Sequence, residues 1–220
     1  MNLKFVITED GSHTLAVPEL NEHYHSVHGA ISESQHIFIN AGLKYLISKK
    51  QKINILEIGF GTGLNALLTF NEISNLKVFC EYTAIEAYPL AEEIYNKLNY
   101  QELLCIPDDI FFKLHQCEWN KNITISKYFS IQKNLCEVQK MRLAVNHFDL
   151  VYFDAFAPDI QPEMWTKEIF ENIFLSMKKG AIFTTYSTKG EVKRKLKETG
   201  FNIEKLEGPK GKREILRAEK

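Results

Sequence analysis

The chain contains 220 residues, of which 45% are hydrophobic, 25% are charged and 12% are aromatic, and its formal net charge is −1. These values are typical of a single α/β domain. The sequence lacks the run of about 18 apolar residues that a membrane helix requires, and its start, MNLKFVITEDGS, lacks the pattern of a signal peptide. Four widely spaced cysteines without a CxxC pair argue against a zinc framework or a disulfide scaffold. We therefore expect a cytoplasmic protein with free thiols and no membrane partner.

The charge is distributed unevenly along the chain. Residues 189–220 contain 11 Lys and Arg against 6 Asp and Glu, whereas residues 1–188 contain 16 against 22. The body therefore carries a charge of −6 and the C-terminal segment a charge of +5. An acidic body suits a cationic small ligand, and a basic segment suits a polyanion. A solvated helix face followed by a basic tail explains the same distribution, so composition alone leaves both interpretations open.

The first fifty residues predict a hairpin followed by a helix. Residues 5–8 and 14–17 are apolar segments on either side of Asp10-Gly11, a dipeptide that favours a tight hairpin turn. Residues 31–48 have apolar side chains in loose helical period, with Ser32 or Ser34 as the N-cap.

From residue 53, short apolar strands alternate with helices. We predict strands at 53–58, 78–85, 148–153 and 181–186, and helices at 64–73, 89–98, 163–177 and 191–199. This alternation indicates βαβ units and a parallel sheet covered on both faces. Strands at 201–206 and 214–218 would add an antiparallel edge, and residues 100–147 contain a strand or hairpin within 123–131. We expect one domain over 1–220, with an extension at 1–50 and a Rossmann-like core at 51–220.

A glycine-rich turn, EIGFGTGLN, follows the first core strand. Gly59, Gly61 and Gly63 depart from the dinucleotide fingerprint GxGxxG, because position 64 is Leu. No Lys or Arg accompanies the turn, which excludes a Walker-type phosphate loop. A plain tight turn is the alternative interpretation.

Three acidic residues lie at or near predicted strand ends: Glu57, Glu86 and Asp154. The carboxyl ends of parallel strands meet at one edge of a sheet, where ligands bind. Glu86 follows Gly63 at about the spacing of 20 residues at which a carboxylate binds a ribose. Three carboxylates repel a pyrophosphate but favour a ligand that carries sulfonium and ammonium charges. S-adenosylmethionine is such a ligand, although each acid alone is also explained by solubility or by a helix dipole.

Five segments resemble the methyltransferase of the MnmC family, also known in a stand-alone form as MnmD: EIGFGTGLNALL, IEAYPL, FDAFAPDIQPEMW, YSTKGEVKRKLKETGF and GPKGKREIL. The resemblance covers residues 10–218 in the family's order. It implies a class I S-adenosylmethionine-dependent methyltransferase fold and methylation of the primary amine of 5-aminomethyl(-2-thio)uridine at the tRNA wobble position. The bifunctional relatives carry a further flavin-dependent oxidase domain. This sequence has no segment for it, so we expect the aminomethyl nucleoside to come from another source.

The resemblance and the strand ends together predict the residues of a cofactor site. Asp154 would be the catalytic residue, at the point where the methyl donor and the amine meet. Asn134 stands where an Asp would accept a hydrogen bond from the adenine amine, and Glu86 would bind the ribose hydroxyls. The full set of predicted cofactor contacts is Tyr24, Glu57, Gly59, Gly61, Gly63, Asn65, Glu86, Asn134 and Asp154.

A second set of residues would contact the tRNA anticodon loop. Single-stranded bases stack on aromatic side chains, for which Phe156 is the candidate. Trp165 is another, but core packing is the favoured interpretation for it. The phosphate backbone would meet basic residues near the C-terminus, namely Lys193, Arg194, Lys210, Lys212 and Arg213.

Other functions share part of this pattern. A group of histidines, His13, His23, His25 and His28, has odd spacing for a metal site, so we predict no metal. A methyltransferase or aminopropyltransferase acting on a small free amine would share the glycine turn and the acidic strand ends but would not need the basic segment. A non-catalytic nucleotide- or RNA-binding module would not need Asp154 beside an intact glycine turn.

Overall fold

The computed structural model describes residues 2–48 and 50–220. Strands β1 (Lys4–Ile7) and β2 (His13–Val17) form an antiparallel hairpin, and β3 (Glu22–His23) pairs with β2. The predicted hairpin is confirmed. Gly11 in its turn has a φ of +82°, which glycine adopts without the steric penalty that a Cβ would introduce.

A helical segment follows the hairpin, as predicted. It consists of α1 (Ala30–Ser34), a π-helical stretch over Gln35–Leu43 and α2 (Lys44–Ile47). The predicted N-cap was wrong, because the helix begins at Ala30 and neither Ser32 nor Ser34 caps it. The capping acceptors come from the hairpin turn. Ser12 Oγ accepts from Ala30 N at 3.1 Å, and Asp10 Oδ2 accepts from Ser32 N at 2.9 Å.

Replacing Asp10 with Ala is expected to lower the free energy of unfolding by about 2 kcal/mol, since it removes a helix cap and leaves donors of the turn unpaired. Hydrogen bonds from the turn and from Ser32 hold the pKa of Asp10 at about 2, against a desolvation effect that raises it. Its contribution to stability is therefore complete above about pH 4 and is lost as the pH falls toward 2. Urea denaturation at pH 7 measures the effect. Asp159→Ala is the matched control, because Asp159 is exposed and its partner in the described part of the chain is Lys189, and an equal loss in both variants would contradict the capping role.

One eight-stranded sheet forms the core, in the order β10-β11-β9-β8-β4-β5-β7-β6. Strands β9, β8, β4, β5 and β7 are parallel, and β11, β10 and β6 are antiparallel to their neighbours. The predicted parallel sheet with an antiparallel C-terminal edge is confirmed. The strands are β4 (Lys52–Ile58), β5 (Phe79–Glu86), β6 (Asn122–Ser126), β7 (Phe129–Leu135), β8 (Phe148–Phe153), β9 (Met177–Thr185), β10 (Asn202–Glu207) and β11 (Glu214–Glu219).

The connecting helices cover both faces of this sheet. They are α3 (Leu64–Leu76), α4 (Glu92–Tyr95), α5 (Tyr100–Leu103), α6 (Asp108–Gln116), α7 (Lys167–Ser176) and α8 (Gly190–Thr199). The helix predicted over 89–98 is reduced to α4. The helix predicted over 163–177 is divided, because a 3₁₀ turn at Pro162–Trp165 ends before Thr166, whose side chain accepts from Ile169 N and starts α7.

Alternate residues along the central strands supply two hydrophobic cores. Ile55, Tyr82 and Tyr152 face the core that contains α3 and the N-terminal helical segment, while Leu56 and Val151 face the core that contains α7 and α8. The strands β4 and β8 are neighbours in the sheet. The strand after β4 in the chain, β5, lies on the side of β4 away from β8, and the strand after β8, β9, lies on the side of β8 away from β4. The order of the strands therefore changes direction between β4 and β8, and loops that diverge at such a point leave a crevice beyond the carboxyl ends of the strands. No helix among the described residues is both long and apolar enough to cross a bilayer.

Candidate active site

A cavity of about 780 Å³ lies at the carboxyl ends of the central strands and is partly covered by the N-terminal extension. Its lining is acidic. Within the described part of the chain, Lys212 is the only Lys or Arg among the lining residues. Such a lining favours a cationic ligand. The acidic side chains that line it are Glu22, Glu33, Glu86, Glu137, Asp154 and Glu163.

The glycine turn forms one wall of the cavity. Gly59 and Gly61 line it, and both have positive φ values, +88° and +49°. A Cβ on Gly59 would lie 2.6 Å from the backbone oxygen of Asp154. Gly63 is different, because it precedes α3, does not line the cavity and faces His115. Gly59 and Gly61 therefore leave space in the cavity wall, whereas Gly63 allows the start of α3 to pack closely against His115.

Glu86 connects the second strand to the glycine turn. Its Oε2 accepts from Gly61 N at 2.9 Å and its Oε1 accepts from Tyr88 N at 2.8 Å. An ionised carboxylate has about four acceptor sites. Glu86 therefore keeps acceptor capacity toward the cavity that it lines.

Asp154 stands at the end of β8, in the wall of the cavity. Its Oδ2 accepts a hydrogen bond from Asn65 Nδ2 at 2.8 Å. Desolvation raises the pKa of Asp154 to about 7, with a smaller contribution in the same direction from Glu33, whereas Asn65 and Lys212 oppose the shift. The carboxyl group is thus able to change its protonation state near neutral pH.

Glu57 occupies a different environment from the one predicted. Its side chain is 0% exposed and does not line the cavity. Burial raises its pKa well above the ordinary value, and the nearby Asp154 and Glu86 charges act in the same direction. Glu57 therefore lies behind the cavity wall, where burial favours the protonated form of its carboxyl group.

Two aromatic side chains meet at the cavity. The rings of Tyr24 and Phe156 pack edge to face with centroids 5.2 Å apart, and both line the cavity. Burial, with a contribution from Glu86, raises the pKa of Tyr24 to about 12. Trp165 is 1% exposed and donates from Nε1 to Phe156 O at 2.8 Å. The core-packing interpretation of Trp165 is confirmed, and Trp165 supports the loop that carries Phe156.

Asn134 is placed in the sheet and not in the wall of the cavity. Its Oδ1 accepts from Gln132 at 3.0 Å, and its side chain is 5% exposed. The cavity wall after β7 is formed by Cys136, Glu137 and Val138. Glu137 thus provides a carboxylate in the cavity wall just after the strand that carries Asn134, and its place just after a strand end was a signal available in the sequence.

The five basic residues predicted to contact tRNA divide into two groups. Lys212 Nζ lies 3.1 Å from Glu33 Oε1, and Lys210 Nζ lies 2.5 Å from Glu9 Oε2. These ion pairs join the turn between β10 and β11 to the N-terminal extension. The other group, Lys193, Arg194 and Arg213, lies outside the cavity lining, and Lys205, with smaller contributions from Arg213 and Lys193, lowers the pKa of Glu214.

Two residues that support the site carried no usable signal in the sequence. His115 Nε2 donates to Thr62 O at 3.0 Å, and burial lowers the pKa of His115 to about 3, so the ring is neutral. Tyr186 lines the cavity after β9 and donates to Ala155 O at 2.8 Å. Three histidines of the N-terminal group have protein partners: His25 lies between Thr14 and Thr62, His28 pairs with Glu9, and His13 bonds Lys97 O. No group of three or more metal-type ligands occurs within residues 2–48 and 50–220.

Comparison with known proteins identifies the family. The family model described as S-adenosyl-L-methionine-dependent methyltransferase matches residues 93–220, more than half of the chain. The chain belongs to this methyltransferase family. The fold class and the cofactor expected from the sequence, S-adenosylmethionine, are thereby confirmed.

The methyltransferase also resembles curated proteins over nearly its whole length. It is 30% identical to the tRNA 5-methylaminomethyl-2-thiouridine biosynthesis bifunctional protein MnmC of Leptospira interrogans, over 90% of this chain and 32% of that protein. It is 28% identical to the MnmC protein of Burkholderia multivorans, over 94% of this chain and 33% of that protein. The resemblance to the MnmC family is confirmed. The chain spans about a third of the length of these relatives.

Solved structures show the same fold. The crystal structure of MNMC2 from Aquifex aeolicus superimposes with a TM-score of 0.81 at 24% identity, over 99% of this chain and 70% of that one. Spermidine synthase from Thermotoga maritima gives a TM-score of 0.66 at 12% identity, over 99% and 68%. At these identities the similarity establishes the fold alone.

The residues around the cavity fit the cofactor of the family. The wall at Gly59 and Gly61 is bare backbone, and a Cβ on Gly61 would fill space 3.3 Å from the Tyr24 ring. Glu86 offers acceptors, and the acidic lining matches a cation. When bound, S-adenosylmethionine supplies an electrophilic methyl group on a sulfonium.

Proposed function

We propose that the methyltransferase transfers a methyl group to the primary amine of 5-aminomethyl(-2-thio)uridine at the tRNA wobble position, giving 5-methylaminomethyl(-2-thio)uridine. The observation that carries the proposal is the position of Asp154, a carboxyl group in the wall of an acidic cavity whose other wall is the glycine turn. An acidic cavity suits both a cationic methyl donor and an amine. The relatives whose names include the product nucleoside support the choice of amine.

Within this proposal, Glu86 would accept hydrogen bonds from the ribose hydroxyls of the cofactor, and Glu137 would accept one from the adenine amine. Tyr24 covers the cofactor from the N-terminal extension. Phe156 contacts the uracil ring, because it lines the cavity close to Asp154 in the chain. Residues 1–50 and 51–220 then act as one domain, since the extension and the core both contribute to the cavity lining.

Asp154 addresses the main chemical difficulty of the reaction, which is to present a neutral amine. An alkyl amine with a pKa near 10.4 is neutral in only about one molecule in 2,500 at pH 7, a cost of roughly 4.6 kcal/mol. A carboxylate that accepts a hydrogen bond from the amine orients the nitrogen lone pair toward the methyl group, at the distance of about 3–3.5 Å that in-line attack needs. Because a carboxylate also stabilises ammonium, Asp154 orients the amine and passes its proton toward solvent.

The direct test is nucleoside mass analysis of tRNA incubated with the protein and S-adenosylmethionine. Unmodified, aminomethylated and thiolated tRNAs are compared, and spermidine and putrescine are offered separately. Methylation confined to aminomethylated tRNA supports the proposal. Methyl transfer to the free amines alone would contradict it in favour of a small-molecule methyltransferase, and no transfer to any acceptor would favour a binding module.

Replacing Arg213 with Ala is expected to weaken tRNA binding and to reduce the slope of log affinity against log salt by about 0.7–0.9, because one phosphate contact is lost. Arg213 follows the cavity-lining Lys212 and lies outside the ion pairs that Lys210 and Lys212 form with the extension. The matched control is Lys179→Ala, which removes an exposed charge near the start of β9, at the opposite end of the sheet. Filter binding at several salt concentrations measures both slopes, and equal slopes for the two variants would count against this surface.

A further inference from the structure

Four buried polar atoms in or behind the cavity wall lack a hydrogen-bond partner among the described residues. They are both carboxyl oxygens of Glu57, the hydroxyl oxygen of Tyr82 and Oδ1 of Asn65. Buried polar groups without partners are rare and costly in folded proteins. The four atoms belong to one cluster, because the Tyr82 and Asn65 side chains lie close enough to the Glu57 carboxyl to affect its pKa, although neither forms a hydrogen bond with it in the structure.

The orientation of Asn65 limits how these atoms can be paired. Its Nδ2 donates to Asp154 Oδ2 at 2.8 Å, whereas its Oδ1 is buried without a donor among the described residues. An ionised carboxylate also has only acceptors. An ionised Glu57 therefore could not supply the donor that Asn65 Oδ1 lacks. A protonated carboxyl group has the donor that Asn65 Oδ1 lacks, and its carbonyl oxygen can accept from the Tyr82 hydroxyl.

We propose that Glu57 is a positioning residue for methyl transfer, which donates a hydrogen bond to Asn65 Oδ1, accepts one from Tyr82 and so keeps Asn65 Nδ2 directed at Asp154. In this arrangement each side chain donates to the next: Tyr82 donates to Glu57, Glu57 to Asn65, and Asn65 to Asp154. The proposal rests on the function proposed above for Asp154. Glu57 itself does not touch the cavity.

The surroundings of Glu57 favour its protonated form. Its side chain is 0% exposed, and the charged groups that act on it, Asp154 and Glu86, are both acidic. Burial is the largest effect and raises the pKa of Glu57, against smaller opposing effects of the Tyr82 and Asn65 side chains. The groups that face it come from three directions, which are Asn65 on α3, Tyr82 and Glu86 on β5, and Tyr152 and Asp154 on or just after β8.

Loss of the Glu57 donor would free the Asn65 amide to rotate. The rotated amide would present Oδ1 to Asp154, and the carboxylate would lose the donor that lowers its pKa. The oxygens of Asp154 would no longer be held in one position for the amine. Small displacements of a group that aligns a reaction reduce the rate strongly.

The test compares Glu57→Gln with Glu57→Met, two side chains of similar length. The Gln amide can donate to Asn65 Oδ1 and accept from Tyr82, so we expect kcat within about threefold of wild type. Met can do neither, so we expect kcat to fall about tenfold or more with the KM for the cofactor nearly unchanged. The midpoint of the kcat/KM profile against pH should also move upward in Glu57→Met. The substrate amine ionises in the same way with wild type and with both variants. A difference in the midpoint of the pH profile therefore reports on the pKa of Asp154.

A charged role for Glu57 predicts a different result. If an ionised Glu57 attracted the cationic cofactor, Glu57→Gln would be as damaging as Glu57→Met and would raise the KM for the cofactor. That outcome overturns the proposal, and so does a Glu57→Met enzyme with wild-type kcat and pH profile.

An infrared measurement keeps the proposal testable if Glu57→Met does not fold or if the tRNA substrate is not the one proposed. The wild-type spectrum at about pH 8, above the pKa of Asp154, should contain a carbonyl band of a protonated carboxylic acid that Glu57→Gln lacks. Absence of the band shows that Glu57 is ionised and overturns the proposal. A wild-type enzyme that shows the band but does not methylate tRNA contradicts the proposed function and leaves the protonation of Glu57 established.

Discussion

Replacing Asp154 with Asn is expected to lower kcat for methyl transfer by about 100-fold to 1,000-fold, because the carboxylate that orients the amine and receives its proton is lost. Binding of S-adenosylmethionine should change little, since the glycine turn and Glu86 are untouched. Single-turnover methylation and calorimetric cofactor binding separate the two quantities. A rate within threefold of wild type at every pH would remove Asp154 from the mechanism.

The same substitution should stabilise the folded protein above neutral pH. The pKa of Asp154 is about 7 in the folded protein, above its ordinary value of 3.8. Folding therefore favours the protonated form, and wild-type stability falls as the pH rises from about 4 to about 7. The amide that replaces the carboxyl group cannot ionise, so the free energy of unfolding of the variant should rise relative to that of wild type over this range. The difference should be at most about 4 kcal/mol, because the cavity admits solvent. Denaturation at about pH 5 and pH 8 checks the sign, and a variant less stable than wild type at the higher pH would contradict it.

Replacing Gly59 with Ala is expected to reduce cofactor affinity and kcat by about 100-fold each, because the added Cβ displaces the end of β8. The new Cβ would lie 2.6 Å from Asp154 O and 3.2 Å from Asp154 C, both of them backbone atoms that have little freedom to move. The φ of +88° adds a strain of about 1–2 kcal/mol for any residue with a Cβ.

Gly11→Ala is the matched control for this substitution. Gly11 has a similar φ of +82°, but a Cβ there would meet no atom of the described residues within 4 Å. It should therefore lose stability from backbone strain alone and retain cofactor binding. Thermal denaturation and calorimetric titration with S-adenosylmethionine measure both effects. If Gly59→Ala binds the cofactor as tightly as Gly11→Ala, the close contact between Gly59 and Asp154 does not affect cofactor binding.

Features that depend on neighbours in the sequence were predictable. The alternation of apolar strands and helices predicted the parallel order of the core, and Asp10-Gly11 predicted the N-terminal hairpin. Glu86 and Asp154 were found by the rule that strand ends meet at a ligand crevice, and both line the cavity. Helix boundaries were less predictable. The cap of α1 comes from Asp10 and Ser12, which belong to another element and are brought to Ala30 and Ser32 only by folding.

Features that depend on contacts between distant segments required the structure. Glu57 belongs to the same strand-end pattern as Glu86, but the packing of α3 and β5 around it decides that it is buried, which favours its protonated form. Lys212 belongs to the basic segment, but its ion pair with Glu33 places it in the cavity wall. Asn134 ends a strand, but its hydrogen bonds direct its side chain into the sheet.

The sequence by itself determined the family, the cofactor and the carboxylates at the strand ends, because these follow from local periodicity and from residue types at short spacing. Only the tertiary structure decided which of those carboxylates faces the cavity and which is buried, and which lysines are paired with acids. The physical reason is that the charge state of a carboxyl group and the partner of a lysine depend on desolvation and on atoms within a few ångströms. In this chain those atoms belong to residues far apart in the sequence.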